Sequence, residues 1–530
     1  MKKVLLSSVF KPFGVDNLYS RQDSRIELFH NQLTKYQGVF SIRTHFLTYG
    51  LHTIANNLDN PVTVLEFPSI ERFRREVKKG YDYVGIGSIA PNFEKVRRMV
   101  HEVRRLSPQS KIILGGFCAT IDNIRERLDV DYVCHGEGIS FMRELLGQPV
   151  EFTFRNPPMF HEVREILGVP LMGIKAPHIP VGLGCPYGCD FCNPSHFFGK
   201  KHIAYFKTGR ELYEEMVRLS KRYWTDVVSF IGDDNFLANL QRARELRDAI
   251  VEGGQNFRIF LFGTADCVER FGVEALAEMG ASQIWIGRES SITPYAKNRG
   301  VDMPDLVRCL QAHGIKVILS TILLLDEHTK DNINDDISAH IACRPDFSQF
   351  SFLSPVSGTP LNDRLKSEGR LLGGIAFEEM HAFKQPWHTH PHFTLEEAER
   401  VQEQAYLREY HELGPSLTRW FDTDIGAYVN MKNSENPVLQ RRAAAMRGTL
   451  LKARILLRAT EMLAPTPFMR EQARDVRGRI EAEFGRLGLV GEAVAQGLRI
   501  SGRLREWRTA RFGDAIQPYT RVYHYDARRP

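Results

Sequence analysis

Two series of short apolar runs, each alternating with amphipathic stretches, constrain the fold of this chain more than any other feature. In the first series the runs that read as strands are KKVLLSSV (2–9), VTVLEF (62–67), YVGIGS (83–88), KIILGG (111–116) and DYVCHG (131–136). Residues 93–106, between two of these runs, are apolar on one face at the helical period. Strands that alternate with helices indicate a parallel, doubly wound sheet. We therefore predict an N-terminal Rossmann-like α/β domain over residues 1–150.

A second series follows the proline-rich segment 151–177, which we interpret as a linker. Its strand candidates are 178–184, 226–232, 257–263, 282–287, 315–325 and 347–353. Six strand–helix units in succession predict a partial or complete (β/α) TIM-type barrel over residues 178–365, with function on the loops that follow its strands. Strand signals then fade, and residues 366–530 are predicted to form an α-helical C-terminal region.

Three cysteines lie within eight positions directly after the first strand of the second series, at Cys185, Cys189 and Cys192. The chain has eight cysteines in 530 residues and no paired framework, which is typical of a reducing cytoplasm, where such a cluster more often binds metal than forms a disulfide. Zinc and 4Fe–4S clusters both usually take four protein ligands. With only three cysteines close together, an iron–sulfur cluster in this loop would have one iron without a protein ligand, open to a small chelating molecule. Zinc and a structural loop are the alternatives.

This motif, with the aromatic Phe191 before its last cysteine, resembles the signature of the radical S-adenosylmethionine (SAM) superfamily. The resemblance implies that Cys185, Cys189 and Cys192 bind a 4Fe–4S cluster beside Phe191, and that the amino and carboxylate groups of SAM chelate the fourth iron. It also implies reductive cleavage of SAM to a 5′-deoxyadenosyl radical. The electron would come from a partner such as flavodoxin or ferredoxin.

Polar residues at two strand ends are the candidates for holding SAM. Asp233, Asp234 and Asn235 follow the second strand, where the family places a motif that hydrogen-bonds the SAM amino group. Carboxylates and backbone carbonyls suit an ammonium, although Asn235 also fits a helix N-cap. Glu289 follows the fourth strand, where the resemblance implies a contact with the SAM ribose, and Ser290 is the second choice. Asp234 and Glu289 are the candidate catalytic residues.

Two further residues complete the predicted SAM site. Arg288 stands where a small or apolar residue is commoner in the family, and it is a candidate for the SAM carboxylate. Ser320, in the fifth strand, is a candidate for the adenosine pocket. Residues 354–371 resemble the segment that closes the barrel in radical SAM enzymes with an N-terminal cobalamin-binding-like domain.

Residues 1–146 resemble that cobalamin-binding-like domain, so that the family resemblance extends over residues 1 to about 370. The chain lacks the DxHxxG string with which some such domains ligate cobalt through histidine. Relatives without it either bind cobalamin or keep the fold without the cofactor, so a cobalamin site and a purely structural domain both stay open at this point. For a bound cobalamin, residues 88–92, 115–120 and 136–138 are predicted to face the corrin.

The C-terminal third contains two further features. His388, His390 and His392 alternate and would share one face of an extended strand, which permits metal binding or a substrate contact, although a polar loop is the simpler interpretation. The helical segment 438–511 has an excess of basic residues, which suits a solvated face, a partner surface or a peripheral contact with an anionic membrane. A membrane contact would favour a lipid or isoprenoid substrate.

We predict an enzyme that acts on an unactivated carbon of a small-molecule or lipid substrate through the SAM-derived radical, by methylation, carbon–carbon coupling or rearrangement. The alternatives are a cobalamin-dependent methyltransferase specifically, or a non-catalytic, metal-stabilised binding module. A net charge of +6 does not require nucleic acid, and tRNA methylthiolation would need more N-terminal cysteines. The sequence shows no signal peptide and no run of about eighteen apolar residues, so we expect a cytoplasmic location.

Overall fold

Strands rich in Val, Ile, Leu and Phe form two large sheets beside a separate two-stranded one. Segments that are apolar on both faces need cover on both sides. The computed structural model describes residues 1–11, 28–45, 47–170, 175–230, 232–293, 295–513 and 518–526. The strands are β1 (Val4–Ser7), β2 (Arg43–His45), β3 (Val62–Glu66), β4 (Tyr83–Gly87), β5 (Lys111–Gly115), β6 (Tyr132–Val133), β7 (Met159–Ile166), β8 (Val169–Pro170), β9 (Lys175–His178), β10 (Gly182–Leu183), β11 (Ile203–Ala204), β12 (Val227–Ser229), β13 (Arg258–Phe262), β14 (Ala281–Glu289), β15 (Lys316–Leu323), β16 (Phe347–Phe352) and β17 (Arg521–Tyr525).

The α-helices alternate with these strands over most of the chain and then follow one another near its end. They are α1 (Tyr49–Asn56), α2 (Ile70–Val77), α3 (Phe93–Leu106), α4 (Ile124–Arg127), α5 (Gly138–Leu145), α6 (Asn193–Phe197), α7 (Gly209–Tyr223), α8 (Leu240–Gly253), α9 (Ala265–Phe271), α10 (Val273–Glu278), α11 (Met303–Ala312), α12 (Ile333–Ala342), α13 (Pro360–Ser367), α14 (Leu395–Leu413), α15 (Ser416–Met431), α16 (Pro437–Leu463), α17 (Pro467–Phe484) and α18 (Leu489–Phe512).

The N-terminal sheet has the strand order β17–β3–β1–β4–β5–β6. Its strand β1 is parallel to β3 on one side and to β4 on the other, with Val4 opposite both Val62 and Tyr83. Helix α3 buries Val96 and Met99 in the core on one face of the sheet. Because the strand order reverses at β1, the loops after β1 and β4 diverge and leave a crevice at the carboxyl edge, where such folds bind ligands.

The second sheet contains six parallel strands in chain order, β9, β12, β13, β14, β15 and β16. Antiparallel strands β7, β2 and β8 extend it beyond β9. Among the described residues the sheet is open, because its outer strands β16 and β2 do not pair with each other. The carboxyl ends of the parallel strands meet along one edge of this sheet, and the candidate site lies there.

The segment 151–177, predicted as a linker, contributes β7, β8 and most of β9, while its residues 171–174 lie outside the described part of the chain. Strand β7 pairs antiparallel with β9, with Met159 opposite His178. Its sequence MFHEVREI mixes apolar and polar residues, which is the pattern of a strand with one solvated face. Four prolines around it made the segment look irregular in the sequence.

The C-terminal region forms a helical layer from α14 to α18, in which the apolar faces of α16 and α17 pack around Leu450, Leu457 and Ile480. Strand β17 then adds antiparallel to β3 of the N-terminal sheet, a contact that the sequence did not predict. The hydroxyl of Tyr525 in β17 lies 2.6 Å from Nδ1 of His52 in α1. In the described part of the chain, no helix combines the length and the apolar character that a bilayer crossing requires.

Candidate functional site

The three predicted cysteines lie in a tight loop between β10 and α6. The N–H of Cys192 donates to the carbonyl of Cys189 at 3.0 Å, and the hydroxyl of Ser195 donates to the carbonyl of Cys185 at 2.7 Å. Gly184, just before the loop, has φ +79°, and a Cβ there would lie 2.3 Å from the carbonyl oxygen of Lys201. Only glycine fits at that position, so the chain can turn sharply from β10 into the cysteine loop.

The thiols of this loop are buried or half-buried, and burial raises the pKa of each. For Cys192 burial raises the pKa to about 12, while the ammonium of Lys297 acts in the opposite direction on all three. No three His, Cys, Asp or Glu side chains in the described part of the chain are arranged around a single metal ion. The thiolates of an iron–sulfur cluster bind separate irons, so a cluster does not require that arrangement.

The end of β12 places its three polar residues differently. Asp234 is half-buried and accepts a hydrogen bond from the N–H of Gly184 at 2.7 Å, and desolvation raises its pKa to about 6. Burial would also raise the pKa of Asp233, but His202 at 3.0 Å and the guanidinium of Arg242 at 3.2 Å lower it. Of these two carboxylates, Asp234 is therefore the one not neutralised by a side-chain cation.

Asn235 lies on the cysteine side of this strand end. Its side-chain nitrogen is 4.0 Å from Sγ of Cys185, and its side-chain oxygen is buried with no hydrogen-bond partner among the described residues. Because a buried amide oxygen without a partner is costly, this atom fits a position that faces a ligand. Asn235 immediately precedes a 3₁₀ turn but makes no side-chain cap, so the helix N-cap interpretation is not seen here.

At the end of β14 the backbone turns one carboxylate inward. Glu289 has φ +63°, and the pairing register with β15 shifts between Gly287 and Glu289. A non-glycine residue in this left-handed region costs about 1–3 kcal/mol, a strain that tends to be kept at functional sites. Glu289 forms a buried ion pair with Lys297, and Asn298 holds the strand end by donating to the carbonyls of Gly287 and Arg288 at 2.9 and 2.7 Å.

Lys297 is the functional candidate that the sequence reasoning missed. Burial alone would lower its pKa, but the carboxylate of Glu289 raises it to about 12, so the side chain is an ammonium. It stands in the loop after β14, outside any recognised motif. The sequence does hold a signal, since Lys297 is the one basic residue in the eight positions that follow the strand-end Glu289.

Arg288 and Ser290 point to the other side of the strand end. The guanidinium of Arg288 donates to Thr321 at 2.9 Å and pairs with Asp336, and the hydroxyl of Ser290 donates to Asp336 at 2.7 Å. The imidazole of His328 lies 2.9 Å from the same carboxylate. These groups form a closed, buried network beneath the strand end, so the structure does not bring Arg288 or Ser290 together with the cysteine loop.

A polar cavity of about 300 Å³ lies between the cysteine loop and the ends of the parallel strands. Of the predicted residues, Phe191, Asp234, Glu289 and Ser320 line this polar cavity, together with Lys297. Gln349 and Trp285 also line it, and each lies at hydrogen-bond distance from the hydroxyl of Ser320, at 2.8 and 2.5 Å. The cavity thus combines two carboxylates, one ammonium and a hydroxyl network within reach of one small ligand.

A second, larger cavity of about 450 Å³ lies at the carboxyl edge of the N-terminal sheet. We call it the glycine-lined cavity because Gly85, Gly87, Gly115, Gly116, Gly136 and Gly138 line it. Each of the predicted segments 88–92, 115–120 and 136–138 contributes wall residues, and none of the described lining residues is a histidine. The opposite wall includes Leu183 of β10, which pairs with β11 in a separate two-stranded sheet, and Gly232, which follows β12 of the second sheet.

Two contacts join the walls of the glycine-lined cavity. The hydroxyl of Tyr205 donates to the carboxylate of Glu137 at 2.8 Å, and the rings of Phe117 and Phe197 meet edge to face at 5.2 Å. Glu137 also caps α5 by accepting from two backbone N–H groups. The two sheets are therefore held together around this cavity.

The three alternating histidines do not converge. His388 is buried, and burial lowers its pKa to about 4, while Nε2 of His390 lies 2.9 Å from the carbonyl of Leu325 and His392 is exposed. Neither cavity is lined by any of the three. His390 and His392 fit the polar-loop interpretation, whereas His388 is buried and neither of its ring nitrogens has a hydrogen-bond partner among the described residues.

No protein-family model matches the chain. An uncharacterised methyltransferase of Pyrococcus horikoshii is 22% identical over 365 residues, which span 62% of this chain and 78% of the relative. The hopanoid C-2 methylase of Rhodopseudomonas palustris is 28% identical over 200 residues, or 36% of this chain and 37% of the relative.

Solved structures of TsrM, a radical SAM methyltransferase from Kitasatospora setae, share the fold. One, with cobalamin and a [4Fe–4S] cluster bound, has a TM-score of 0.54 at 15% identity and covers 94% of this chain and 99% of TsrM. Another, with tryptophan and a SAM analogue bound, has a TM-score of 0.51 at 16% identity and covers 69% and 76% of the two chains. The likeness confirms the predicted mixed α/β fold with parallel sheets and many helices, although no closed barrel is found among the described residues.

Proposed function

We propose that this chain, as a radical SAM enzyme with an N-terminal cobalamin-binding-like domain, is a cobalamin-dependent methyltransferase. In this proposal the open second sheet is the partial barrel of the family. Residues 1–150, 178–365 and 366–530 are its cobalamin-binding, barrel and helical parts. Among the outcomes expected from the sequence we choose methylation, because relatives and structural neighbours are named methyltransferases or methylases.

One observation carries the proposal: very short stretches of chain separate the two cavities. Leu183 lines the glycine-lined cavity, and Cys185 begins the cysteine loop two residues later. Gly232 lines the same cavity, and Asp234, two residues on, lines the polar cavity. A group bound in one cavity would therefore lie next to a group bound in the other, as transfer between two cofactors requires.

The residues fit an iron–sulfur cluster and SAM. Cys185, Cys189 and Cys192 would hold the cluster, and three thiol ligands leave one iron for the cofactor. When bound, the cluster would supply one electron to cleave one SAM molecule to methionine and a 5′-deoxyadenosyl radical. A second SAM molecule would supply the methyl group and leave as S-adenosylhomocysteine, and cobalamin would carry the methyl group. Burial keeps the thiols protonated before metal enters, so cluster assembly would release protons, and the ammonium of Lys297 would stabilise the thiolates.

The polar cavity fits the charged end of SAM. Asp234, whose carboxylate forms no ion pair with a described residue, would accept from the SAM ammonium, and Lys297 would pair with the SAM carboxylate. Glu289 holds Lys297 in place and would accept from the ribose hydroxyls, while Ser320 and its partner Gln349 would face the adenine end. Arg288 and Ser290 have no such role in this proposal, since Asp336 engages them.

The glycine-lined cavity fits part of a corrinoid. At Gly115 a Cβ would meet no atom within 4 Å, so any side chain there would extend into space that the cavity leaves open. The rest of the wall is mainly apolar, which suits a large flat ligand held by shape. Without a histidine on the described wall, the protein would offer cobalt no imidazole from this cavity.

The substrate would be a small organic molecule whose carbon is not otherwise activated. The relatives' names specify chemically different substrates, so none of them transfers to this chain. A one-electron donor such as flavodoxin or ferredoxin is the expected partner.

The test is anaerobic reconstitution with iron, sulfide and hydroxocobalamin, followed by incubation with SAM and a reductant. We expect about four irons and about one cobalamin per chain. We also expect S-adenosylhomocysteine to form only when cobalamin is present. If 5′-deoxyadenosine forms but S-adenosylhomocysteine does not, the enzyme carries out another radical reaction and not methyl transfer. A zinc adduct, or no SAM turnover, would favour a metal-stabilised binding module.

A further inference from the structure

Helix α18 concentrates apolar surface on its outer side. Of the fifteen large apolar side chains exposed in the described part of the chain, seven belong to this one helix. They are Leu489, Val490, Val494, Ile500, Leu504, Trp507 and Phe512. Their spacing places all seven on one side of the helix. Single exposed apolar residues are common, but a row of seven marks an interaction surface.

The inner side of the same helix carries its small residues. Ala495 and Gly502 are its two buried positions, and a Cβ at Gly502 would lie 2.8 Å from the side chain of Leu463. The close contact of α18 with α16 therefore depends on small side chains. Leu498 packs against the helical core, but most large apolar side chains of α18 face outward, the reverse of what packing on the rest of the chain would produce.

Arginines accompany the apolar row. Helix α18 contains five arginines and two glutamates. Arg508 and Arg511 lie within the arc of the apolar row, are exposed and form no ion pair with another described residue, and the guanidinium of Arg511 lies 5.8 Å from the ring centre of Phe512. Basic side chains beside Trp and Phe are the composition of helices that lie in the headgroup region of a membrane.

The helix is also firmly seated. Arg505 pairs with Glu165 of β7 at 2.8 Å, and the hydroxyl of Ser501 donates to the carbonyl of Gly168 at 3.0 Å. A partner on the outer face would thus hold the second sheet in a fixed orientation.

We propose that the outer face of α18, defined by the seven apolar residues and the exposed arginines, docks on a membrane surface that contains anionic lipid. A second copy of the chain is less suited to this face, because two such faces would bring their arginines together. A nucleic acid would use the arginines but leave the apolar row uncovered. The proposal goes beyond the proposed activity and does not rest on it.

The experiment is flotation of the full chain with vesicles of phosphatidylcholine alone or with phosphatidylglycerol, at low and high salt, with the oligomeric state measured in parallel. We expect binding to the anionic vesicles at low salt that weakens as salt is added. Protein that stays in solution with anionic vesicles at low salt overturns the proposal.

Paired variants locate the contact. Leu504→Ser with Trp507→Ser should weaken binding at least about tenfold through lost apolar burial. Arg508→Gln with Arg511→Gln should weaken it about 20-fold through lost attraction to the headgroups. The matched controls are Trp224→Ser, whose indole is 94% exposed on another surface, and Arg222→Gln with Arg244→Gln.

Each substituted side chain is exposed in the structure. Unchanged circular dichroism and iron content of the variants would show that the fold persists. Controls that lose binding as much as the α18 variants, or α18 variants that bind like the wild type, overturn the proposal. A third outcome also overturns it: the wild type is a dimer that does not bind vesicles, and the Leu504→Ser/Trp507→Ser variant is a monomer. The outer face of α18 would then join two copies of the chain.

Discussion

The two cavities differ in what their walls can recognise. The polar cavity, of about 300 Å³, surrounds its space with Asp234, Glu289, Lys297 and the Ser320 hydroxyl network. The glycine-lined cavity, of about 450 Å³, presents mainly apolar side chains and bare backbone. Fixed charges select a compact, charged ligand, whereas an open apolar wall selects by shape. The chain thus separates recognition of a small zwitterionic cofactor from that of a large one, and the cysteine loop lies where the two spaces approach.

The largest effect should come from the cysteine loop. Cys189→Ala removes one of three thiolates, and we expect cluster iron to fall below about a tenth of the wild-type value, because two thiolates do not retain a four-iron cluster. SAM cleavage should vanish while cobalamin binding persists. Iron analysis and the absorbance of the reconstituted protein measure this. The control is Cys309→Ala, on α11 and outside both cavities; equal iron in Cys189→Ala and the wild type would contradict the assignment.

A side chain at Gly115 should affect only the other cavity. Gly115→Leu would fill space that no described atom occupies, and we expect cobalamin affinity to fall at least about tenfold with iron unchanged. Gly373→Leu is the matched control, since its Cβ also meets nothing within 4 Å but lies outside the cavity. Equilibrium dialysis with hydroxocobalamin gives the affinities. Wild-type cobalamin binding in Gly115→Leu would show that the cofactor does not use this space.

The buried ion pair of Glu289 and Lys297 tests whether the polar cavity binds SAM independently of the glycine-lined cavity. Because a lone buried charge costs about 3–5 kcal/mol, Lys297→Met is combined with Glu289→Gln so that no charge is stranded. We expect SAM affinity to fall about tenfold or more, with cobalamin affinity unchanged, since the pair lines only the polar cavity. The control is Lys330→Met with Glu397→Gln, an exposed pair at 2.7 Å. If the double variant binds SAM as tightly as the wild type, the Glu289–Lys297 pair is not part of the SAM site.

The smallest effect concerns the support of the glycine-lined cavity. Tyr525→Phe removes the contact with His52, whose other nitrogen lies 3.0 Å from Glu66, the acceptor for the N–H of Thr48 on the cavity wall. The loss of one hydrogen bond of about 1 kcal/mol should speed cobalamin dissociation about two- to fivefold, measured by absorbance after dilution. Tyr213→Phe, which loses a hydroxyl contact far from the cavity, should leave the dissociation rate unchanged. If cobalamin dissociates equally fast from Tyr525→Phe and Tyr213→Phe, the contact made by β17 does not support the glycine-lined cavity.

Patterns in the sequence located both sheets and the side of the structure on which the site lies. The carboxyl ends of parallel strands meet at one edge, so the loop with Cys185 and the strand ends with Asp234 and Glu289 had to converge. Strand alternation would also have separated Glu289 from its neighbours Arg288 and Ser290, which lie on the opposite side.

Other parts depended on contacts that no local pattern encodes. Lys297 becomes important only because its loop folds back over Glu289, and the left-handed backbone at Glu289 arises from a register shift against β15. Strand β17 pairs with β3 across more than 450 residues of chain, although its sequence RVYHY resembles many short exposed strands. Long-range pairing of this kind is set by tertiary structure rather than by propensity.

The central claim is that a cluster at the cysteine loop and a cobalamin in the glycine-lined cavity lie side by side. It is tested most directly by electron paramagnetic resonance of the anaerobic protein that carries both the reduced cluster and cob(II)alamin. The account predicts magnetic interaction between the two centres, seen as broadening or splitting that disappears in Gly115→Leu, and a cobalt signal without nitrogen coupling from a protein histidine. Two independent, uncoupled signals in a protein loaded with both cofactors would contradict it.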